Sequence, residues 1–358
     1  MMHELKNDVD GPLALMERVF EAEGQLASEY PLVFRRGFGG RLVALDDERG
    51  VRSSCAVLPR TLVMPGFHWS AGLIGSVATD SDQRGRGLAS QVLAEAERWL
   101  AEQGCLFALL WAEDPRFYLA RGYRPIGSEL DAVVDATVAA RLPSAPELRP
   151  MEAGDASAVH RHYMAQPYRA DRTVEETQAL LACPGMQVLV AERGGQVAAY
   201  ACLGRGRDLP NVVHEWGGDS TLTLAVIRAA FQASGADHVV VMGADHTSSV
   251  FAGLEAAGAK VHRGFLGLAK PLAGSLQSFA SALAAQGGGT CDVESDGKAE
   301  RCRWTGPAGS VVLEPNDVLD LLAGPRGTSA VLERARVSTG LAAAKLPLKP
   351  FLWGLDSI

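Results

Sequence analysis

Hydrophobic and polar positions follow two different regular patterns on either side of a glycine-rich segment at residues 83–89. An apolar run precedes this segment at residues 72–78, which indicates a buried strand. After the segment, apolar residues recur three and four positions apart from Leu88 to Leu100, which is the spacing of one helix face. The pattern therefore predicts a strand, a glycine turn and an amphipathic helix in direct succession.

The next residues predict a second strand and a short helix. The amphipathic pattern ends near Gly104, a residue type suited to a helix C-terminus, and residues 105–111 form another apolar run. Asp114 and Pro115 then fit a helix N-cap and a first helical position, so a short helix is expected over residues 116–121. An extended segment follows it at once.

The rest of the chain predicts a repeat of this element order. A helix over residues 10–23 and a hairpin over residues 41–58 come before the first strand. Prolines in residues 142–147 indicate a linker. Beyond it, helices and strands recur in a similar order with little residue identity, and they end in a closing strand at residues 260–268.

The chain of 358 residues is longer than one typical domain. Its last part contains a short helix, a glycine-rich segment at residues 286–289 expected to be a flexible linker, two strand candidates and a final helix. The fold class is therefore α/β (α+β). We expect two tandem mixed-sheet domains at residues 1–141 and 147–271, and a small C-terminal α+β domain at residues 272–358.

The glycine-rich segment fits the pattern Arg-x-x-Gly-x-Ala. Unpaired N–H groups and the helix dipole favour an anion at a helix N-terminus, and glycine lets the backbone approach it closely. A dinucleotide loop would need a third glycine where Ser90 stands, and no Walker motif occurs. A surface turn before an ordinary helix is the alternative. The residues expected to hold a pyrophosphate are Arg84, Gly85, Arg86, Gly87, Leu88 and Ala89.

Taken together, the strand, the arginine-glycine turn, the helix, the second strand and the Phe117-Tyr118…Gly122-Tyr123 element resemble the GNAT superfamily of acyl-CoA-dependent N-acyltransferases. The resemblance is most specific over residues 72–126. Two GNAT-like folds followed by a small α+β piece resemble the Eis (enhanced intracellular survival) type. The third piece of that type is sterol-carrier-like, and residues 272–358 would be a shortened version of it.

This resemblance implies roles for several residues. A strand bulge in the family lets acyl-CoA pair with open backbone N–H groups, which would belong here to Val77, Ala78 and Thr79. Tyr118 matches the family's tyrosine acid, and a phenol with a pKa of about 10 can protonate a leaving thiolate at neutral pH. The alternative for Tyr118 is a core aromatic residue on a short helix.

The general base is less well defined by the sequence. Glu113 and Asp114 directly follow the second strand, near the expected thioester. In Eis-type relatives the C-terminal carboxylate reaches the active site, so the Ile358 carboxylate is expected at or near the N-terminal site. Docking of the apolar terminus for packing alone is the alternative. Residues 67–69, Phe-His-Trp, could line an acceptor pocket or form a hairpin tip.

The second repeat lacks the features that would bind a cofactor. Residues 215–219 replace the arginine-glycine turn, and they bring two carboxylates and no basic side chain. Carboxylates in such a loop would repel a pyrophosphate. The second domain is therefore predicted to be non-catalytic and to lack a CoA loop.

Charge and composition exclude several classes of function. A net charge of −8 argues against a nucleic-acid surface and is compatible with a cationic substrate. The first eight residues have no signal-peptide character, and no apolar run is long enough to span a membrane. Cytoplasmic localisation is expected. The six cysteines form no Cys-x-x-Cys pair, so free thiols are expected, with a Cys291–Cys302 disulfide as the alternative.

The function expected is acetyl-CoA-dependent N-acetylation of a primary amine of a small molecule or peptide by direct transfer. By analogy with Eis, aminoglycoside-like polyamines fit as acceptors. Acetyl-CoA would be a co-substrate, and no metal is expected, since His160 and His162 are two apart on a predicted helix. The second domain and the C-terminal part would shape the acceptor pocket or a homo-oligomer interface. Alternatives are an acyltransferase of the mycothiol-synthase kind and a non-catalytic acyl-CoA-binding sensor.

Overall fold

The computed structural model describes residues 9–22, 24–206, 208–246, 248–297, 299–325 and 330–358. The first eight residues and Glu23, the end of the first predicted helix, lie outside the described residues. The described chain forms mixed sheets packed against helices, which confirms the predicted α/β class.

The elements up to residue 141 follow the predicted order closely. The helices are α1 (Asp10–Phe20), α2 (Leu26–Glu29), α3 (Pro31–Phe34), α4 (Leu88–Glu102), α5 (Arg116–Leu119) and α6 (Ala136–Arg141). The strands are β1 (Arg41–Asp47), β2 (Gly50–Met64), β3 (Phe67–Thr79), β4 (Phe107–Leu110), β5 (Arg124–Ile126) and β6 (Glu129–Asp135).

From residue 148 to residue 271 helices and strands again alternate. The helices are α7 (Ala156–Met164), α8 (Val174–Leu181), α9 (Ser220–Ser234) and α10 (Ser249–Ala256). The strands are β7 (Leu148–Pro150), β8 (Arg169–Ala170), β9 (Gln187–Arg193), β10 (Gln196–Leu203), β11 (Val212–Gly218), β12 (His238–Ala244), β13 (Lys260–Gly264) and β14 (Gly267–Pro271).

The last part of the chain adds a small α+β unit. Its helices are α11 (Leu276–Gly287), α12 (Pro315–Ala323) and α13 (Ala330–Thr339), and its strands are β15 (Thr290–Ser295), β16 (Glu300–Gly306) and β17 (Gly309–Leu313). The three strands form an antiparallel sheet in the order β15–β16–β17. Cys291 on β15 and Cys302 on β16 are free thiols, as are the other cysteines.

The two larger sheets exchange strands with each other. The first sheet has the order β1–β2–β3–β4–β14–β5, with β8 paired to β2, and the second has the order β13–β6–β12–β11–β10–β9–β7. Strand β6 therefore pairs in the second sheet although it precedes residue 141, and β14 pairs in the first sheet although it follows residue 147. The predicted domain boundaries divide the chain, but they do not divide the sheets.

Two local predictions are wrong. Residues 260–268 do not form one closing strand, because the chain leaves the second sheet after Gly264 and β14 joins the first. Residues 286–289 are not a flexible linker. Helix α11 continues to Gly287, which packs so closely against the Trp304 ring that a Cβ would overlap it.

Helix α4 packs one face on the first sheet, as its apolar spacing predicts. Its buried residues Val92, Leu93, Ala96 and Leu100 belong to one hydrophobic cluster with strand residues of that sheet. The chain reverses after α4 through Gly104, whose φ of +77° is unfavourable for any residue with a Cβ. This packing places the N-terminus of α4 at the end of β3.

Candidate active site

A bulge interrupts β3 next to its end. Ser54 pairs with Ala78 and Ala56 pairs with Gly75, so two residues of β3, Ser76 and Val77, stand opposite a single residue of β2. Ser76 has a φ of 50°, in the left-handed region that non-glycine residues seldom adopt. Such strain in a strand is often retained at functional sites because it redirects the backbone.

Strands β3 and β4 separate where the bulge begins. They pair in parallel from Ala71 to Leu73, which lie opposite residues 107–109. Among the described residues, no strand pairs with β3 beyond Leu73 on the side facing β4. Residues 74–79 therefore present an open backbone edge, and this edge includes the predicted residues Val77, Ala78 and Thr79. On the other side, Ser53 donates to the Ala78 carbonyl oxygen at 3.0 Å.

The glycine turn lies between this edge and helix α4. Gly85 and Gly87 have φ values of +77° and +78°, so both positions require glycine. Gly87 is the N-cap and carries no capping side chain, and the first N–H groups of a helix have no intrahelical acceptor. Arg84 and Arg86 are exposed beside them, and Arg86 donates to Gln83 Oε1 at 3.1 Å. The turn thus has the donors and charges that an anion needs.

Tyr118 lies on the same side of the sheet as the turn. Its half-buried ring packs against a hydrophobic cluster that Val77 and Leu88 also contact. Phe117 and Tyr123 contact the ring edge-to-face, with centroids 5.0 and 5.8 Å away. Burial raises the pKa of Tyr118, so the phenol keeps its proton throughout the neutral range.

Arg121 connects the helix of Tyr118 to the first turn of α4. Its Nε and Nη2 atoms lie 3.0 and 2.6 Å from Ser90 Oγ. Its guanidinium also stacks on the Phe117 ring, 3.6 Å from the centroid. Planar arginine groups favour such combined stacking and hydrogen bonding. The tyrosine and the glycine turn are therefore held at a defined separation.

Glu113 and Asp114 lie on the surface beside the site. Helix α5 begins at Arg116 as predicted, but its N-cap is Pro115 and not Asp114. The Asp114 carboxylate accepts hydrogen bonds from the backbone N–H and the guanidinium of Arg116. These bonds lower the pKa of Asp114 to about 2, so this carboxylate is a weak proton acceptor.

The C-terminal segment, residues 351–358, enters the same region from the other side. Residues 351–356 are buried, and the last two residues are half-buried. The main-chain carbon and oxygen of Ile358 lie so close to Gly75 that a Cβ on this glycine would overlap them. Arg205 donates to the main-chain oxygen of Ser357 at 3.1 Å and to its Oγ at 2.9 Å. Ile358 therefore lies beside the bulge of β3.

The prediction of an acidic loop at residues 215–219 is wrong. Residues 212–218 form strand β11, and Glu215 is fully buried with its Oε2 atom 2.7 Å from Arg172 Nη2. Asp219 caps helix α9 by accepting from the N–H groups of Thr221 and Leu222. A loop was expected because a glutamate seldom occupies a buried position without a partner, and the sequence does not show that Arg172 is that partner.

Residues 67–69 form the start of β3 directly after a hairpin turn. Trp69 is a core residue, in edge contact with Phe107 and Phe279, whereas His68 is exposed. His160 and His162 bind Thr177 and the Val197 carbonyl separately. In the part of the chain that the structure describes, no group of three or more potential metal ligands occurs. No described helix is long and apolar enough to cross a membrane.

Sequence reasoning missed several residues of this region. Gly75 was visible only as a glycine within an apolar strand, a signal of close backbone approach. Arg172, Arg205 and Asp356 gave no signal, because arginine and aspartate side chains are usually exposed. Arg172 and Asp356 are separated by 184 positions in the chain.

One family model matches the first part of the chain. Residues 5–126 match the family model described as acetyltransferase (GNAT) domain. No curated protein matches the chain significantly. These residues are therefore similar to a GNAT acetyltransferase domain. The predicted Eis-like tandem architecture and sterol-carrier-like piece stay predictions.

Solved structures share the fold over nearly the whole chain. A conserved Enterococcus faecalis V583 protein described as a probable N-acyltransferase is 13% identical with a TM-score of 0.67, covering 98% of this chain and 97% of that chain. A GCN5-related N-acetyltransferase from Anabaena variabilis ATCC 29413 is 15% identical with a TM-score of 0.66, covering 99% and 98%. One from Kribbella flavida is 13% identical with a TM-score of 0.59, covering 98% and 96%.

Proposed function

We propose that this chain, which carries a GNAT acetyltransferase domain, is an acetyl-CoA-dependent N-acetyltransferase. It transfers the acetyl group directly to a primary amine of a small molecule or peptide. One observation carries the proposal. The open edge of β3 at its bulge, the uncapped N-terminus of α4 and Tyr118 all border the same apolar cluster.

The cofactor fits this arrangement in two parts. Backbone N–H groups along Val77, Ala78 and Thr79 bind the pantetheine arm and the thioester oxygen. The turn from Arg84 to Ala89 binds the pyrophosphate, because its glycines allow close approach and the helix start is positive. Arg84 and Arg86 add charge-assisted contacts.

The reaction requires one acid and one base. The amine nitrogen attacks the thioester carbonyl carbon, the carbon–sulfur bond breaks, and the amine gives up a proton. Tyr118 donates its proton to the departing thiolate, and its raised pKa suits an acid that must be protonated at neutral pH. The phenolate regains a proton from solvent after the thiol leaves.

For the base we propose the Ile358 carboxylate. Its main-chain atoms lie against Gly75 at the start of the bulge, beside the expected thioester. Asp114 is a poorer candidate, because Arg116 binds its carboxylate on the surface. A carboxylate accepts the amine proton directly or through one water.

The domain arrangement belongs to the same proposal. Residues 1–141 form the catalytic GNAT domain, residues 147–271 a GNAT-like domain without a CoA loop, and residues 272–358 a small sterol-carrier-like domain. Three further points stay predictions: an acceptor amine of the aminoglycoside-like polyamine kind, a cytoplasmic location and a homo-oligomer. A negative net charge favours the approach of a cationic acceptor.

Thiol release from acetyl-CoA, measured against a panel of polyamines, aminoglycosides and peptides, tests the activity. We expect release above the hydrolysis background with at least one amine, and an acetylated product with 42 Da of added mass by mass spectrometry (roughly, from one acetyl group replacing a proton). Tight binding of acetyl-CoA without turnover across the panel would instead support a sensor. Acetylation of a small amine that also carries a thiol, and of no other amine, would support the mycothiol-synthase kind.

A further inference from the structure

A cluster of buried charges holds the C-terminal segment. This tail anchor consists of Arg60, Arg172, Glu215 and Asp356. Arg172 Nε lies 2.6 Å from Asp356 Oδ1 and Arg172 Nη2 lies 2.7 Å from Glu215 Oε2, and the three side chains are fully buried. Arg60 Nη2 lies 3.5 Å from the same Asp356 oxygen.

Tyrosine hydroxyls complete the tail anchor. Tyr163 donates to Asp356 Oδ2 at 2.6 Å, and Tyr200 donates to Glu215 Oε1 at 3.0 Å. The Arg172 guanidinium stacks on the Tyr163 ring, 3.8 Å from the centroid. Burial alone would raise the pKa of Asp356, but Arg172 and Arg60 outweigh it and hold this pKa below the usual value. Asp356 is thus a buried, ionised group with few alternative positions.

Most side chains of the tail anchor come from residues 147–271. Tyr163 is on α7, Tyr200 on β10 and Glu215 on β11, and Arg172 follows β8. Arg60 lies on β2 of the first sheet, the strand that pairs with β8, and it also binds Glu176 of α8 at 2.7 Å. The charges therefore join the second sheet to the strand that lies beside β3.

The second sheet also separates in the manner of the first. Strands β11 and β12 pair in parallel only at Val212 and Val213. Beyond them, Trp216 of β11 donates its indole N–H to the Met242 carbonyl of β12 at 2.8 Å. Trp353 of the C-terminal segment packs edge-on against Trp216, with centroids 5.3 Å apart. In the first sheet the gap between β3 and β4 leaves a backbone edge open. In the second sheet Trp216 and Trp353 fill the corresponding gap between β11 and β12.

We infer that the second sheet is a dock for the C-terminal segment, and that Asp356 is a positioning residue that holds Ile358 at Gly75 in the first sheet. The inference rests on the proposed function, because Ile358 is assigned there as the base. A buried carboxylate with three partners fixes the register of its segment, since any slip would leave charges unpaired. Only Ser357 separates Asp356 from Ile358, so fixing the position of Asp356 constrains that of Ile358.

The test compares Asp356→Asn with Asp155→Asn. The Asp155 carboxylate binds Arg149 and the N–H of Glu152, and neither partner belongs to the C-terminal segment. Its variant therefore controls for a lost ion pair. Digestion with a carboxypeptidase followed by intact mass measures release of the segment without any need for activity. Acetyl-CoA turnover gives kcat and KM separately.

For Asp356→Asn we expect rapid trimming of the segment, a kcat lowered by about 10- to 100-fold and a KM for acetyl-CoA within about twofold of wild type, because only the position of the base changes. Asp155→Asn should resist trimming and keep its kcat. If Asp356→Asn does not fold, Tyr163→Phe removes one hydroxyl from the tail anchor and should show the same changes more weakly.

If the folded variants resist trimming, the second sheet is not a dock for the C-terminal segment. If they are trimmed but keep the wild-type kcat, Asp356 does not position a catalytic group. If the wild-type protein shows no turnover with any amine, the proposed function fails. The trimming result then shows by itself whether the second sheet docks the C-terminal segment. Failure of the docking inference can thus be distinguished from failure of the proposed function.

Discussion

The main-chain carbonyl group of Ile358 occupies the space that a side chain on Gly75 would need. These residues are far apart in the sequence, and their contact joins Ile358 to the bulge of β3. The φ of Gly75 is not in the left-handed region, so alanine fits the backbone there, and the three atoms nearest to an added Cβ all belong to Ile358.

Gly75→Ala should therefore displace Ile358 and slow the reaction. We expect kcat to fall by about 10- to 100-fold, because a shift of about 1 Å in a catalytic group has effects of this size. Steady-state thiol release measures it. Gly39→Ala is the matched control, since a Cβ there makes only an ordinary contact, 3.8 Å from Leu58. Wild-type kcat in Gly75→Ala would exclude a catalytic role for Ile358.

Tyr118→Phe should lose the acid without loss of the ring that packs against Phe117 and Tyr123. We expect kcat to fall by about 10²- to 10⁴-fold, the usual contribution of a general acid. Tyr123→Phe is the control, because it removes a buried hydroxyl that binds Glu97 at 3.0 Å. That variant should lose stability and keep its turnover. Equal kcat values for Tyr118→Phe and wild type would remove Tyr118 from the mechanism.

Arg84→Ala should weaken binding of the cofactor more than catalysis. A lost charge-assisted contact to a phosphate corresponds to about a 10-fold or larger rise in the KM for acetyl-CoA, with a smaller change in kcat. The control is Arg98→Ala on α4, the helix that follows the turn; the Arg98 guanidinium pairs with Glu95 and Glu102 on the surface. The same KM in Arg84→Ala and Arg98→Ala would contradict the assignment of the pyrophosphate turn.

Glu129 should make stability fall as the pH rises. Burial, assisted by Asp131, raises the pKa of Glu129 to about 8, whereas a glutamate in the unfolded chain titrates near about 4.3. The folded state therefore binds a proton that the unfolded state releases. This contribution to stability is complete below about pH 4.3 and is lost as the pH rises through about 8.

Glu129→Gln removes this titration, so its melting temperature should change less between pH 5 and pH 8 (roughly the interval between the two pKa values) than that of wild type. Thermal unfolding across this range measures the difference. Glu255→Gln, at an exposed position on α10, should keep the wild-type pH dependence. A Glu129→Gln curve parallel to wild type would show that the buried carboxyl is not the group that titrates.

Much of the candidate site follows from local sequence patterns. The strand before residue 80, the glycine turn, helix α4 and the short helix with Tyr118 each depend on residues close together in the chain. Periodicity and the conformational needs of Gly85 and Gly87 are therefore sufficient to predict them. The strand order was not predictable in this way, because β6 and β14 each have a pattern that suits either sheet.

The sequence by itself determined the α/β class, the turn at residues 84–89 and the residue types that suit acyl transfer. These features arise from hydrogen bonds and side-chain spacing within a few turns or strands. Only the tertiary structure decided where β6 and β14 pair, and that Arg172 binds both Glu215 and Asp356. Those contacts join segments up to 184 positions apart. Arg172, Glu215 and Asp356 are buried, so each charged group needs its partners to offset the loss of hydration.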